Sequence, residues 1–208
     1  MPGKNRYNER EKKPKPYRGE QYGILEDTLG DSPIVAAVKD EPGLERCLNS
    51  PCRVVFVLFG DLNSVPRSVA ELKTAGKTVF VHADLIEGLS AREAAVDYLI
   101  HAARPDGIIS TRLPLLRFAK AKGLRTILRF FLIDSIAMEN IAKMKNERCV
   151  DLIEVLPGLM PKVIHRVAAT CGKPIIAGGL VTEKADVVNA LEAGALAVSS
   201  TNPGVWQM

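Results

Sequence analysis

From residue 33 onward, short β-branched runs alternate with amphipathic stretches, and the alternation repeats eight times. The runs are PIVAAV (33–38), RVVFVLFG (53–60), KTVFVHADL (77–85), DGIIST (106–111), RTILRFFL (125–132), VDLIEVL (150–156), KPIIAGGL (173–180) and ALAVSSTN (195–202). Seven stretches of helical periodicity lie between them, near 43–49, 63–75, 90–103, 114–122, 135–147, 161–171 and 183–193. Such spacing demands right-handed crossovers between parallel strands. Eight parallel strands predict an α/β fold of the TIM-like (β/α)8 barrel type; an open flavodoxin-like sheet needs fewer. Only PGVWQM follows the eighth run, so the last helix is expected to be reduced or missing.

Local signals support these boundaries. Gly76, Gly123, Gly172 and Gly194 each sit where a helix should stop and the next strand begin. Ser90 with Glu93 reads as a capping box, and Pro161 suits a first helical turn.

Charge divides the chain in two. Residues 1–20 carry seven Lys/Arg and three Asp/Glu, a net +4, and the whole chain is also +4, so the remainder sums to zero. Residues 1–22 lack aliphatic core formers and read as a basic, disordered or loosely docked tail; 23–208 read as one barrel domain. The tail interleaves Arg6, Arg10, Lys12, Lys13, Lys15 and Arg18 with Tyr7 and Tyr17. That mixture suits a nucleic-acid backbone and its bases, and equally suits a solubilising terminus. A second basic run, Arg112, Arg117, Lys120, Lys122 and Arg125, crowds the helix after the fourth strand and its ends and is either an RNA contact or a solvated face.

A composition of 47% hydrophobic and 25% charged residues is that of a soluble globular protein. With no apolar run long enough for a bilayer and no signal core, a cytoplasmic protein without membrane association is expected. Cys47, Cys52, Cys149 and Cys171 form no C-x-x-C pair, and three histidines are too few to complete a metal set; inert buried thiols and no metal are expected.

Ligands of (β/α)8 barrels sit at the C-terminal strand ends, and polar residues gather there. Asp61 follows the second run, His82 and Asp84 close the third, Arg112 closes the fourth, Arg129 interrupts the fifth and Glu154 the sixth. Asp84 and Glu154 could hold Arg129 or a ligand, while Arg129 with Glu154 could equally be a fixed ion pair closing the barrel top. His82 is either an acid/base group or a hydrogen-bonded core histidine. Gly178 and Gly179 end the seventh run, and Ser199, Ser200, Thr201 and Asn202 end the eighth. These are the two loops where such barrels often bind phosphate: glycine lets backbone N–H groups approach an anion, and Ser, Thr and Asn add neutral donors. The pair taken alone is a tight turn; with its neighbour it predicts a phosphate site.

The segments VVFVLFGDL, FVHADLIEGLS, DGIISTR, FFLIDS, IEVLPG, PIIAGGLVT and AVSSTN, in this order and spacing, resemble those of the glycerol uptake operon antiterminator regulatory proteins across about 33–206. The resemblance implies a cytoplasmic bacterial regulator, without catalytic residues or cofactor, that responds to glycerol 3-phosphate and binds the leader mRNA of a glycerol uptake operon to prevent transcription termination. It places the effector's phosphate on Gly178, Gly179, Ser199, Ser200, Thr201 and Asn202. Its glycerol end then falls to Asp61, His82, Asp84, Arg112, Arg129 and Glu154. The basic tail departs from the pattern, and whether the chain forms a homo-oligomer is open. The competing class is a phosphate-binding barrel enzyme of isomerase, aldolase or prenyltransferase type, for which His82, Asp84, Glu87 and Glu154 supply parts.

Overall fold

The computed structural model describes residues 23–90 and 92–208. The tail residues Arg6, Arg10, Lys12, Lys13, Lys15 and Arg18 lie outside the described residues. Eight parallel strands close a barrel in chain order: β1 (Ile34–Val38), β2 (Val54–Val57), β3 (Thr78–His82), β4 (Gly107–Ser110), β5 (Arg125–Phe131), β6 (Leu152–Leu156), β7 (Ile175–Gly178) and β8 (Ala197–Ser200). Closure is direct: Ile34, Val35 and Ala36 of β1 pair in register with Val198, Ser199 and Ser200 of β8.

Seven helices cross between strands: α2 (Glu41–Leu48), α3 (Val65–Thr74), α4 (Glu93–Tyr98), α5 (Leu113–Ala121), α6 (Ser135–Ala142), α7 (Pro161–Thr170) and α8 (Lys184–Glu192). Gly76, Gly123, Gly172 and Gly194 all adopt positive φ, the left-handed conformation that ends a helix without steric penalty. Pro161 opens α7, as expected. The capping box is elsewhere than expected: α4 starts at Glu93 with Arg92 as its uncapped N-cap, whereas Glu183 and Asp186 cap α8 reciprocally.

Helix α1 (Ile24–Asp31) precedes the first strand and was not foreseen. It plugs the barrel's N-terminal end. Its Leu25 and Leu29 join the interior cluster of Val35, Val54, Phe56, Phe80, Ile127 and Ile176, and Glu26 reaches Arg125 at the start of β5, 3.6 Å away. Phe56 and Phe80 meet edge to face at 5.9 Å inside the barrel. Gly107 makes room for that ring, since a Cβ there would lie 2.4 Å from Phe80 Cε1.

After β8 only one turn of 3-10 helix, Val205–Gln207, remains of an eighth helix. Trp206 is buried in its place and donates from Nε1 to Ser200 O at 2.7 Å. Beside it, where a full helix would pack, a cavity of about 290 Å³ is bounded by Ile34, Cys52, Val187, Val188, Trp206 and Met208. All four cysteines are free and buried, and burial pushes the Cys47 thiol up to about 11. Among the described residues no helix is long and apolar enough to cross a membrane.

Candidate effector site at the barrel mouth

Side chains alternate in and out along a strand, so the residue two places beyond each inward core residue also faces inward. The inward set Phe80, Ile109, Ile127, Leu152, Ile176 and Ala197 is therefore followed, one layer nearer the C-terminal mouth, by His82, Thr111, Arg129, Glu154, Gly178 and Ser199. An apolar barrel thus ends in a polar layer.

Its centre is a hydrogen-bonded chain across β5, β6 and β8. Arg129 Nε donates to Glu154 Oε2 at 2.7 Å, and Ser199 Oγ donates to Glu154 Oε1 at 2.6 Å. Both side chains of the ion pair are nearly covered, Arg129 at 10% and Glu154 at 2% exposure. Strand register enforces the pairing, since Arg129 lies opposite Glu154. Gly178 lies opposite Ser199, and a Cβ on it would come within 2.4 Å of Ser199 Oγ and 2.7 Å of Glu154 Oε1. The first glycine of the pair is therefore required by the Glu154–Ser199 bond that passes over it. The second has φ +78°, and its carbonyl accepts from Gly158 N at 3.1 Å. The following Leu180 is also left-handed, φ +65°, and exposed; in a residue with a bulky side chain this conformation stores about 1–2 kcal/mol.

His82 differs from its neighbours. It is 2% exposed, and the protein supplies a hydrogen-bond partner to neither ring nitrogen. Burial, reinforced by the Arg129 charge and opposed by Asp84, lowers its pKa to about 4. The ring is therefore neutral near pH 7, with one donor and one acceptor to offer.

The other mouth residues hold loops. Asp84 accepts from Ser110 Oγ at 2.8 Å and from Thr111 N and Oγ1 at 2.7 and 2.9 Å. Burial opposes its charge, but these bonds outweigh it and keep the carboxyl below its usual pKa. Asp61 caps its own turn, accepting from Asn63 N and Ser64 N at 2.8 Å each; the Ser64 amide foremost lowers its pKa. Arg112 is exposed at the start of α5. The structure thus brings His82, Arg129, Glu154, Gly178 and Ser199 into one layer, and commits Asp61 to its own turn and Asp84 to the loop after β4.

The loops after β7 and β8 are stitched together. Ser200 Oγ donates to Val181 O at 2.7 Å, Asn202 Nδ2 donates to Thr182 O at 3.0 Å, and Asn202 Oδ1 accepts from Gly204 N at 2.9 Å. Ser200 and Asn202 spend their side chains on this seam, leaving Thr201 exposed beside Gly179 and Leu180. Thr111, a polar residue closing the fourth run, was given no ligand role, although its spacing from Ile109 marks it as inward.

Arg117, Lys120 and Lys122 are each paired: with Glu147 at 2.7 Å, Asp151 at 2.6 Å and Asp97 at 3.0 Å. The α5 run is an ion-paired face rather than a free positive patch. Among the described residues no three His, Cys, Asp or Glu side chains group as a metal site.

Comparison with known proteins places this barrel among its relatives. Residues 34–206 match the family model described as glycerol-3-phosphate responsive antiterminator. The chain belongs to this family. Among solved structures it is similar to the glycerol uptake operon antiterminator regulatory protein of Listeria monocytogenes, at 31% identity and TM-score 0.80, covering 85% of this chain and 95% of that one. It is likewise similar to a glycerol uptake operon antiterminator-related protein of Thermotoga maritima, at 34% identity and TM-score 0.72, covering 84% and 98%. The uncharacterized protein YgcP of Escherichia coli is 42% identical over 180 residues, 86% of this chain and 94% of that protein. A deoxyribose-phosphate aldolase of Aeropyrum pernix, at 13% identity, TM-score 0.63 and 86% and 88% coverage, shares the barrel fold.

Proposed function

We propose that this antiterminator-family barrel binds glycerol 3-phosphate at its C-terminal mouth and, in the cytoplasm, uses it to control binding to the leader mRNA of a glycerol uptake operon, preventing termination. The phosphate lies against Gly179, Leu180 and Thr201 on the two stitched loops, with Ser199, Ser200 and Asn202 setting their shape. The glycerol hydroxyls meet His82, with Arg129 beside it. The observation that carries this reading is His82: a covered, neutral imidazole with two unfilled ring nitrogens, in the polar layer at the barrel mouth. An unmet polar group of this kind costs about 1–3 kcal/mol, which a hydroxyl-bearing ligand recovers. A neutral donor–acceptor ring suits an alcohol better than a second anion.

The catalytic reading has less behind it. Glu154 and Asp84, its general acid/base candidates, are held by two and three hydrogen bonds respectively, in place to fix charge and loop geometry. Neither inward layer carries a lysine for Schiff-base chemistry. Effector and RNA are coupled only as far as the effector binds the RNA-competent arrangement more tightly. The test is RNA binding to a glycerol-operon leader transcript with and without glycerol 3-phosphate. Tighter binding with effector is expected. An effector that leaves the RNA affinity unchanged, or rapid turnover of triose phosphates, contradicts the proposal.

A further inference from the structure

The RNA-binding reading leaves open which face of the barrel meets the RNA, and charge pairing narrows the choice. The basic run from α5 to the start of β5 is neutralised by acids from other elements: Arg117, Lys120, Lys122 and Arg125 each have a carboxylate partner. The opposite holds around α7. From Val155 to Thr182 there is not one Asp or Glu, yet Lys162, His165, Arg166 and Lys173 fall there. Just before β6 come Lys143, Lys145 and Arg148. Of the acids nearest them, Glu139, Glu147 and Asp151, the last two are held by Arg117 and Lys120.

Among the described residues, none of Lys143, Lys145, Arg148, Arg166 and Lys173 lies within 4.0 Å of a carboxylate oxygen. Lys143 meets only the neutral Asn140 amide, at 2.9 Å. Four of the five are exposed and Lys173 is half-buried. Lys143, Lys145, Arg148 and Lys173 are also neighbours, and Arg166 lies in the helix α7 that leads to Gly172 and Lys173. The Lys145 stem lies on Gly172, whose added Cβ would stand 2.8 Å from Lys145 Cγ, and Lys173 is the next residue. Lys143, Lys145 and Arg148 lead into β6, and Lys173 leads into β7, so the group sits at the N-terminal end of the barrel. Gly23, where the sequence-basic residues 1–22 join the barrel, is at that same end, against Arg125.

We infer that the unpaired basic surface formed by Lys143, Lys145, Arg148, Arg166 and Lys173, at the N-terminal end of the barrel beside α6 and α7, is the docking face for the RNA phosphate backbone. The inference rests on the RNA-binding reading above and adds where the RNA lies: on the end away from the effector mouth. Cations without a carboxylate partner are what a polyanion needs, because each one neutralises a phosphate and releases a counterion. Paired cations such as Lys120 must first give up their own carboxylates.

The test uses the full chain, a glycerol-operon leader transcript and a mixed-sequence RNA hairpin, both fluorescein-labelled, titrated over a potassium chloride series. The triple variant Lys145→Gln, Arg148→Gln, Arg166→Gln is compared with Lys120→Gln, Lys122→Gln. The first set should weaken binding to both RNAs at least about tenfold at low salt and reduce the slope of log K against log salt by about two, given roughly 0.7–0.9 per phosphate contact. The second set should leave both unchanged. A thermal shift with glycerol 3-phosphate, retained in both variants, shows that loss of RNA binding is not loss of fold.

Unchanged RNA affinity and slope in the first variant overturn the assignment while leaving the RNA-binding reading intact. Equal affinity of the wild type for polyglutamate and RNA overturns RNA as the partner and favours an acidic protein. Failure of the wild type to bind either RNA, with or without effector, overturns both.

Discussion

Arg129 Nε stands 2.7 Å from Glu154 Oε2, and the two meet because β5 and β6 place them opposite one another in register. With so little exposure, neither charge survives well alone. Removing one partner of a buried ion pair typically costs about 3–5 kcal/mol, because the other is left uncompensated. Arg129 at 10% exposure recovers part of that from water. Glu154→Ala should therefore lower stability in urea unfolding by at least about 2 kcal/mol, whereas Glu154→Gln, which keeps an acceptor for Ser199, should cost less. Equal losses would mean that the Ser199 bond contributes nothing and the charge of Glu154 accounts for the whole effect.

The glycine pair responds to substitution in two distinct ways. Gly178→Ala forces a methyl onto Ser199 Oγ and Glu154 Oε1, an overpacking of the kind that costs about 1–3 kcal/mol. Gly179→Ala meets no atom nearer than 3.1 Å but must hold φ +78°, a strain of about 1–2 kcal/mol. Both should leave a folded barrel by circular dichroism and weaken glycerol 3-phosphate binding, Gly178→Ala more strongly. Normal effector affinity in both variants would reduce the pair to plain turn chemistry.

His82 gives a pH signature. Its pKa is lowered from the ordinary 6.5 to about 4, first by burial. Between these values the unfolded chain binds a proton that the folded chain does not. The stability from a neutral His82 is therefore complete above about pH 6.5 and lost as pH falls toward 4. In urea unfolding across that window, His82→Gln should show a shallower loss of stability than the wild type. By NMR the His82 ring should stay neutral down to about pH 5, and titration near pH 6.5 would contradict its burial.

The four thiols should be silent in the native protein. All are buried, and burial raises the pKa of each, to about 11 for Cys47 and Cys149. A thiol reagent at pH 8 should label them only as fast as the protein opens, and all four promptly in denaturant.

The strands were legible because each is a short β-branched run closed by a turn signal, and counting to eight determined the barrel. Helix α1 was not, because its segment carries Gly30, lacks a capping side chain and acquires meaning only as a plug for an interior that no local pattern reveals. The mouth was legible as a set of strand ends but not in its division of labour. Asp61 and Asp84 read as ligand groups until their loop amides were found to occupy them, and Ser200 and Asn202 join loops about twenty residues apart in sequence. The pairing on α5 was hidden for the same reason: Arg117 and Lys120 find their acids some thirty residues downstream. Long-range pairing decides which charges are free, and a sequence pattern does not show it.

Titration calorimetry of the full chain with glycerol 3-phosphate, repeated with His82→Gln and Gly178→Ala, tests the effector site most directly. One saturable site per chain is expected, with sub-millimolar affinity, weakened at least about tenfold in each variant, a loss of about 1.4 kcal/mol. No binding heat or competition at millimolar glycerol 3-phosphate, or wild-type affinity in both variants, would contradict an effector site at the barrel mouth.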